Sequence, residues 1–241
     1  MLCYAYFVGH SPSHGIRHDS PLKEGAKDVT APINRNLKGS ESMDTGALTE
    51  AVMKRLFVEL EASGRHVHVT KAQAMTLFGH PLTPKRDLSQ PGQYLANERV
   101  TVTGPKGSFE NVAVLGPERP EGQVEISLTD SKTLGLQPPV RPSGDIKNSP
   151  GCILTGPKGT VTLDAGVIAA KRHIHMTPED AGRMGVKDKQ MVRLQTYTDR
   201  PVIFEDVLVR VSDQFATYVH LDYDEANACG FSQGDLGRIL S

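Results

Sequence analysis

No apolar run in this chain approaches the roughly 18–20 residues of a membrane span, so the sequence predicts no transmembrane helix. Cysteine is scarce: Cys3, Cys152 and Cys229 are an odd number without short spacing. That argues against a disulfide framework and fits a reducing cytoplasm. Charge of one sign is missing too. A formal net charge of −1 and a pI near 6.8 leave no electrostatic footprint for nucleic acid or an anionic membrane surface. Tryptophan is absent, while glycine (23) and proline (16) are plentiful among the 241 residues. Many turns and short strands follow, so a mainly β architecture with short helices is expected.

What is present is a repeat. Arg65-His66-Val67-His68-Val69-Thr70 returns as Arg172-His173-Ile174-His175-Met176-Thr177, 107 residues later from His66 to His173. An apolar-flanked His-x-His reads as a strand, in which residues i and i+2 face the same side. Two imidazoles so placed can converge on one metal ion, and imidazole suits zinc, copper, iron or nickel. One such pair is as readily structural as metal-binding. Two in a repeat favour ligands.

Around these strands the chain reads in order. Residues 1–42 carry no secretory signal pattern, and 10–42, rich in Ser, Pro, Gly, Lys and Asn without periodicity, predict disorder, or else translation begins at Met43 and the stretch before it is a mis-annotated extension. Their His10, His14 and His18 read as solvated loop residues. Leu48, Val52 and Leu56 form a helical stripe inside 43–57. Such a helix is too short to stand alone, and it packs on its own domain or serves as a docking segment for a partner or a shell. A helix over 71–78 is capped by Thr70 and stopped by Gly79 and Pro81. Residues 82–94 read as a loop carrying Lys85 and Arg86. Strands are expected near 98–103, 110–115 and 123–128, then a short helix near 130–134. The proline-rich stretch 138–150 is the expected connection between halves, separating domains at 58–150 and 151–241 that are free to exchange strands. A hairpin turning at Gly156-Pro157-Lys158-Gly159, one strand over 167–176, a helix after Thr177, three strands within 190–221 and a helix from Asp222 complete the second half.

A second constant offset supplies a third ligand in each half. Asn111-Val112-Ala113-Val114 answers Asp206-Val207-Leu208-Val209, and Val124-Glu125-Ile126 answers Val219-His220-Leu221, both 95 residues apart. Glu125 therefore falls opposite His220. The two candidate ligand sets are His66, His68 and Glu125, and His173, His175 and His220. Three protein ligands with an open fourth position mark a catalytic zinc site, and two such sites together can clamp a phosphate or activate a carbonyl. Arg119, in the loop entering the Glu125 strand, is a candidate phosphate contact. Its partner by the 95 offset is Gln214, so the halves differ there.

Several signatures resemble the PduL-type phosphate propanoyltransferases (phosphotransacylases). They are Ser63-Gly64-Arg65-His66-Val67-His68, Leu88-Ser89-Gln90-Pro91-Gly92-Gln93, Val114-Leu115-Gly116-Pro117-x-Arg119, Gln123-Val124-Glu125-Ile126-Ser127, Arg172-His173-Ile174-His175-Met176 and His220-Leu221-Asp222-x-Asp224-Glu225-Ala226-Asn227. They run in order over about 45 to 235. The resemblance implies two β-barrel domains with capping helices and a dimetal site, usually two zinc ions, held by the six residues above. It implies the reaction acyl-CoA plus phosphate to acyl phosphate plus CoA, often inside a bacterial microcompartment whose shell or core proteins would meet the 45–56 helix. By motif, Arg119 would contact phosphate, while Ser63, Leu115, Asn227 and a cation of the pair Lys85 and Arg86 would meet CoA. Where many relatives carry arginine two residues before Leu115, this chain has Ala113, so one expected CoA contact is absent or replaced.

The chemistry expected is direct attack of metal-bound phosphate, oriented by Arg119, on the thioester, since no strong nucleophile-base signature competes. On the residues alone, a dimetal thioesterase or phosphoesterase and a metal-stabilised interaction module stay open, as does a homo-oligomer.

Overall fold

The computed structural model describes residues 44–240; the expectations for 1–42 lie outside the described residues. Asp44 accepts hydrogen bonds from the Gly46 and Ala47 amides and starts helix α1 (Thr45–Leu56). The spaced apolar residues are in place, but no residue of α1 is buried, and Leu48, Val52 and Leu56 are each about half exposed. The stripe therefore does not join a core of its own domain.

The first repeat supplies β1 (Val58–Ser63), β2 (His66–His68), α2 (Lys71–Phe78), β3 (Pro84–Asp87), β4 (Tyr94–Thr103), β5 (Ser108–Gly116), β6 (Gln123–Glu125), α3 (Leu128–Leu134) and β7 (Val140–Arg141). Then come the hairpin β8 (Cys152–Thr155) and β9 (Thr160–Leu163), β10 (Val167–Ala170), β11 (His173–Met176), α4 (Pro178–Met184), β12 (Met191–Tyr197), β13 (Ile203–Val211), β14 (Tyr218–Asp222), α5 (Tyr223–Cys229) and β15 (Leu236–Leu240).

The strands form a closed barrel in the order β1-β14-β11-β13-β12-β15 and a curled half-barrel sheet in the order β7-β10-β6-β2-β5-β4-β8-β9, with β3 on β4. Five consecutive positions correspond: β10, β6, β2, β5 and β4 stand where β1, β14, β11, β13 and β12 stand. What differs is the closure. β15 bonds both β12 and β1 and so seals the barrel, whereas the corresponding edges of the other sheet carry two different strands, β8 and β7.

Sheet membership crosses the 150/151 division. Strand β1 runs parallel to β14 of the second repeat, and β10 runs parallel to β6 of the first. The registers match through both sequence offsets, since Glu61 faces His220 as Ile168 faces Glu125. Each repeat thus lends the strand before its His-x-His to the other. Two apolar clusters result, one centred on Val67, Leu77, Val114 and Leu154, the other on Leu60, Ile174, Leu194 and Val209.

Helices α2 to α5 share one construction. Thr70, Ser127, Thr177 or Asp222 caps the start by accepting an amide hydrogen bond, and Gly79, Gly135, Gly185 or Gly230 ends the helix in left-handed backbone. Gly104-Pro105-Lys106-Gly107 and Gly156-Pro157-Lys158-Gly159 dock on the ends of α3 and α2. Lys106 and Lys158 donate their amides to Leu134 and Leu77 carbonyls, and a Cβ on Gly104 or Gly156 would lie 2.4 Å from those oxygens.

Three local expectations need correction. Residues 84–87 are an edge strand rather than loop; all four are exposed, so no alternation marks them, and Pro84 sits at the first position, where proline is tolerated. The run 167–176 is two strands broken at Lys171-Arg172, because β10 crosses to β6 while β11 pairs β13 and β14. Helix α3 begins at Leu128 because Ser127 caps it. The sequence also gave no warning of β15.

Candidate metal and active site

The His-x-His strands are pinned by the arginine that opens each motif. Arg65 donates two hydrogen bonds to Asp130, and Arg172 donates to Glu225 and the Glu205 carbonyl. Asp130 and Glu225 are also the residues that close the capping boxes of α3 and α5. The arginine of each Arg-His-x-His therefore ties its strand to the helix following the third ligand.

Both clusters face one cavity of about 470 Å³. In the first, His66 Nε2 lies 3.6 Å from Glu125 Oε2 and His68 Nε2 lies 3.9 Å from Glu125 Oε1. In the second, His175 Nδ1 lies 3.2 Å from His220 Nε2. Within each trio the ligand atoms are within 4.8 Å of one another. Nitrogen ligands about 2.0–2.1 Å from a tetrahedral zinc stand about 3.3–3.4 Å apart, so these separations suit a single ion in each trio.

The chemistry of the donors agrees. His66 Nδ1 donates to the Gly64 carbonyl at 2.8 Å, His173 Nδ1 to Lys171 at 2.8 Å, and His68 Nδ1 to Leu115 at 3.3 Å. A carbonyl only accepts, so each Nδ1 holds the proton and each Nε2 presents its lone pair. His175 differs from its twin His68: its Nε2 is the one buried side-chain polar atom without a partner among the described residues. Burial, then the neighbouring His173 and Arg210 charges, push the His175 pKa down to about 3. Burial also drives His68 and His220 well below the ordinary range and lowers His173. A deprotonated imidazole is the form that binds a metal.

Glu125 is held ionised. Burial alone would raise its pKa, but His66, His68 and the Ser143 hydroxyl outweigh that and lower it. Burial likewise opposes charge on His66, yet the Glu125 carboxylate and the Gly64 carbonyl bring its pKa above the usual value. Glu125 Oε1 accepts from Gln123 at 2.5 Å and from Ser143 at 2.6 Å. Arg119 donates to the same Ser143 oxygen at 3.2 Å, and its amide donates to Val69 at 2.9 Å. Ser143 thus links the candidate phosphate contact to the candidate metal carboxylate.

Among the other sequence candidates, Ser63, Arg86, Leu115 and Ala113 line the main cavity. Lys85 does not. Asn227 lines a smaller adjoining pocket that shares Ala62 and Tyr223 with the main one. The cavity also holds residues that spacing did not single out: Glu61, Ser143, Arg210 and Phe215. Glu61 accepts from Ser89 at 2.6 Å and stands 3.3 Å from His220 Nδ1. Phe215 stacks on His175 with ring centroids 4.1 Å apart. A signal for Arg210 existed, since it lies 95 residues after Leu115. Ser143 sits in the stretch taken as a connection and had none.

The profile of the phosphate propanoyltransferase family matches residues 59–232. A phosphate propanoyltransferase of Clostridioides difficile (strain 630) is 54% identical over 191 residues, covering 78% of this chain and 91% of the relative. One from Enterococcus faecalis (strain ATCC 700802 / V583) is 52% identical over 201 residues, covering 80% and 95%. One from Thermotoga maritima (strain ATCC 43589 / DSM 3109 / JCM 10099 / NBRC 100826 / MSB8) is 54% identical over 181 residues, covering 74% and 86%. The chain belongs to the phosphate propanoyltransferase family.

Proposed function

We propose that this protein transfers a short acyl group such as propanoyl between coenzyme A and phosphate, reversibly, as a phosphotransacylase. The observation that carries this is the meeting of two three-donor clusters and Arg119 on one cavity, in a chain of this family. His66, His68 and Glu125 would hold one divalent ion, and His173, His175 and His220 the other; zinc suits both donor sets. Bound there, the ions would supply Lewis-acid polarisation of the thioester carbonyl and offset the charge of phosphate.

Arg119 orients the phosphate through a charge-assisted contact, itself steadied by Ser143. A phosphate oxygen attacks the thioester carbon, the carbon–sulfur bond breaks, and CoA leaves as the thiolate while acyl phosphate forms. An acyl-enzyme has little support. Cys152 and Cys229 are buried away from the cavity, with the Cys152 thiol pushed up to about 12 by burial. Ser63, Leu115 and Arg86 line the cavity and would meet CoA, as would Asn227 from the adjoining pocket.

No helix among the described residues is long and apolar enough to cross a membrane. The unburied stripe of α1 supports docking on a shell or core protein of a bacterial microcompartment in the cytoplasm. Deleting 45–56 should leave turnover intact and abolish co-purification with such compartments.

The central test measures CoA release from acetyl-, propanoyl- and lactoyl-thioesters with and without phosphate, alongside metal analysis. Release that requires phosphate and yields acyl phosphate supports the transferase. Phosphate-independent release would make it a hydrolase, and neither release nor acyl phosphate would make it an interaction module. Ping-pong kinetics would sink direct attack.

A further inference from the structure

Every carboxylate lining the main cavity already has a partner. Glu61 takes Ser89 and faces His220, Glu125 takes Gln123 and Ser143, and Asp222 caps α5. The cations lining it are not so matched. Arg65 is bound to Asp130, but neither Arg119 nor Arg210 has a carboxylate within 4 Å among the described residues. Arg210 also lacks any hydrogen-bonding partner for its guanidinium there. Asp188, whose charge favours that of Arg210 from beyond ion-pair distance, spends Oδ1 on the Val211 amide.

Arg210 is not a solvated surface cation. It is half-buried on β13 and pairs in register with His175 of β11, and its guanidinium carbon lies 5.7 Å from the Phe215 ring centroid. Arg210 stands at the second cluster through its register with His175, as Arg119 stands at the first through the Ser143 hydroxyl that donates to Glu125. Burial opposes the charge of both arginines, and Arg210 adds to this at Arg119, while the Glu125 carboxylate favours both charges without pairing with either. There is thus a guanidinium beside each cluster, in a partly desolvated space where an unmatched charge is unfavourable. A dianion entering between the clusters would relieve both.

We propose that Arg210 is a second phosphoryl-binding arginine, so that the substrate phosphate is held by Arg119 from one repeat and Arg210 from the other. The alternative anion, the pyrophosphate of CoA, is separated from the reacting sulfur by the whole pantetheine arm. A cation beside the metal-binding histidines is therefore misplaced to serve it. This also changes the symmetry of the site. By the 95-residue offset Arg119 faces Gln214 and Arg210 faces Leu115, so each half contributes one arginine, from non-equivalent positions.

The inference rests on the phosphotransacylase reading, and the test separates the two. In metal-loaded protein, Arg210→Gln should raise the KM for phosphate by about ten- to a hundredfold. The KM for propanoyl-CoA should change by less than about threefold. Bound metal should stay at the wild-type level. Arg210→Lys, which keeps the charge but loses the planar fork, should recover part of the phosphate affinity. Titration calorimetry with inorganic phosphate should show the same weakening in the absence of turnover, and thermal melting checks that each variant is folded.

An unchanged phosphate KM in Arg210→Gln, or a rise confined to the KM for propanoyl-CoA, overturns the role of Arg210 while leaving the transferase reading intact. Wild-type protein that releases CoA without phosphate overturns both.

Discussion

The two candidate metal clusters come from one repeated motif, yet they are supported differently. In the first, Glu125 brings a negative charge that is stabilised by Gln123, Ser143 and His66 and lies one hydroxyl away from Arg119. In the second, His220 brings a neutral ring. Its support is Glu61, which arrives on the exchanged strand β1, together with Gln90, whose side chain stands 3.4 Å from His220 Nε2. The position equivalent to Glu61 beside Glu125 is Ile168, which is fully buried and offers no polar atom. A carboxylate is itself a candidate ligand in one half and stands behind the candidate ligand in the other. Both halves thus place one acid at the ligand strand, at different depths.

The strongest test of the comparison removes one third-ligand side chain at a time. His220→Ala and Glu125→Gln should each drop bound metal from two equivalents to about one. Turnover should fall by more than the roughly 10- to 100-fold typical of losing an outer partner of a metal ligand. Elemental analysis by mass spectrometry, with the CoA-release assay, reads both; loss of both ions from either variant would show that the clusters do not fill independently.

Glu61→Gln comes next. If the carboxylate orients His220, metal affinity at the second cluster should weaken about 10- to 100-fold, with the first cluster unaffected. Competition with a chelator measures this, and equal weakening at both clusters would contradict it.

Acid should also tell the halves apart in metal-free protein. His175, held down to about 3 from 6.5, refuses in the folded state a proton that the unfolded chain accepts below 6.5. The stability it contributes is therefore complete above about pH 6.5 and is lost as the pH falls toward 3. His66 has the opposite sign, because its pKa is raised; its contribution is present below 6.5 and fades as the pH rises through the folded value. Unfolding midpoints at pH 5 and pH 7.5 should converge in His175→Gln and separate further in His66→Gln.

The smallest effect is expected at the two anchoring arginines. Arg65→Met and Arg172→Met should each destabilise the fold by about 1 kcal/mol, since both ion pairs are partly solvated. The loss should be slightly greater at Arg65, whose partner Asp130 is the more buried.

Much of the candidate site was legible in the sequence. His66, His68, His173 and His175 declared themselves through the motif, while Glu125 and His220 followed from a second offset defined by apolar residues. Helix starts were legible because a cap is a local rule: Thr70, Thr177 and Asp222 need only their own next turn. What escaped depended on long-range pairing. The strand at 84–87 has no buried face to leave a period, and β15 is a strand only because β1 and β12 leave edges for it. Glu61 gains its role from a parallel partner about 160 residues away. Ser143 could not be read at all, since the chain around it looks like a linker and its function is set by the neighbours to which it folds back.

The reciprocal lending of β1 and β10 has a consequence for ancestry and assembly. Two separate half-length chains, each carrying a single Arg-His-x-His, would meet the same pairing rule by giving their leading strands to one another. They would form a two-fold dimer with one cluster from each copy. Joining the copies end to end replaces a concentration-dependent encounter by a tethered one and frees each half to diverge. Arg119, Arg210, Glu61 and Glu125 are the marks of that freedom: a fused pair can carry different side chains at equivalent positions, and two identical chains cannot.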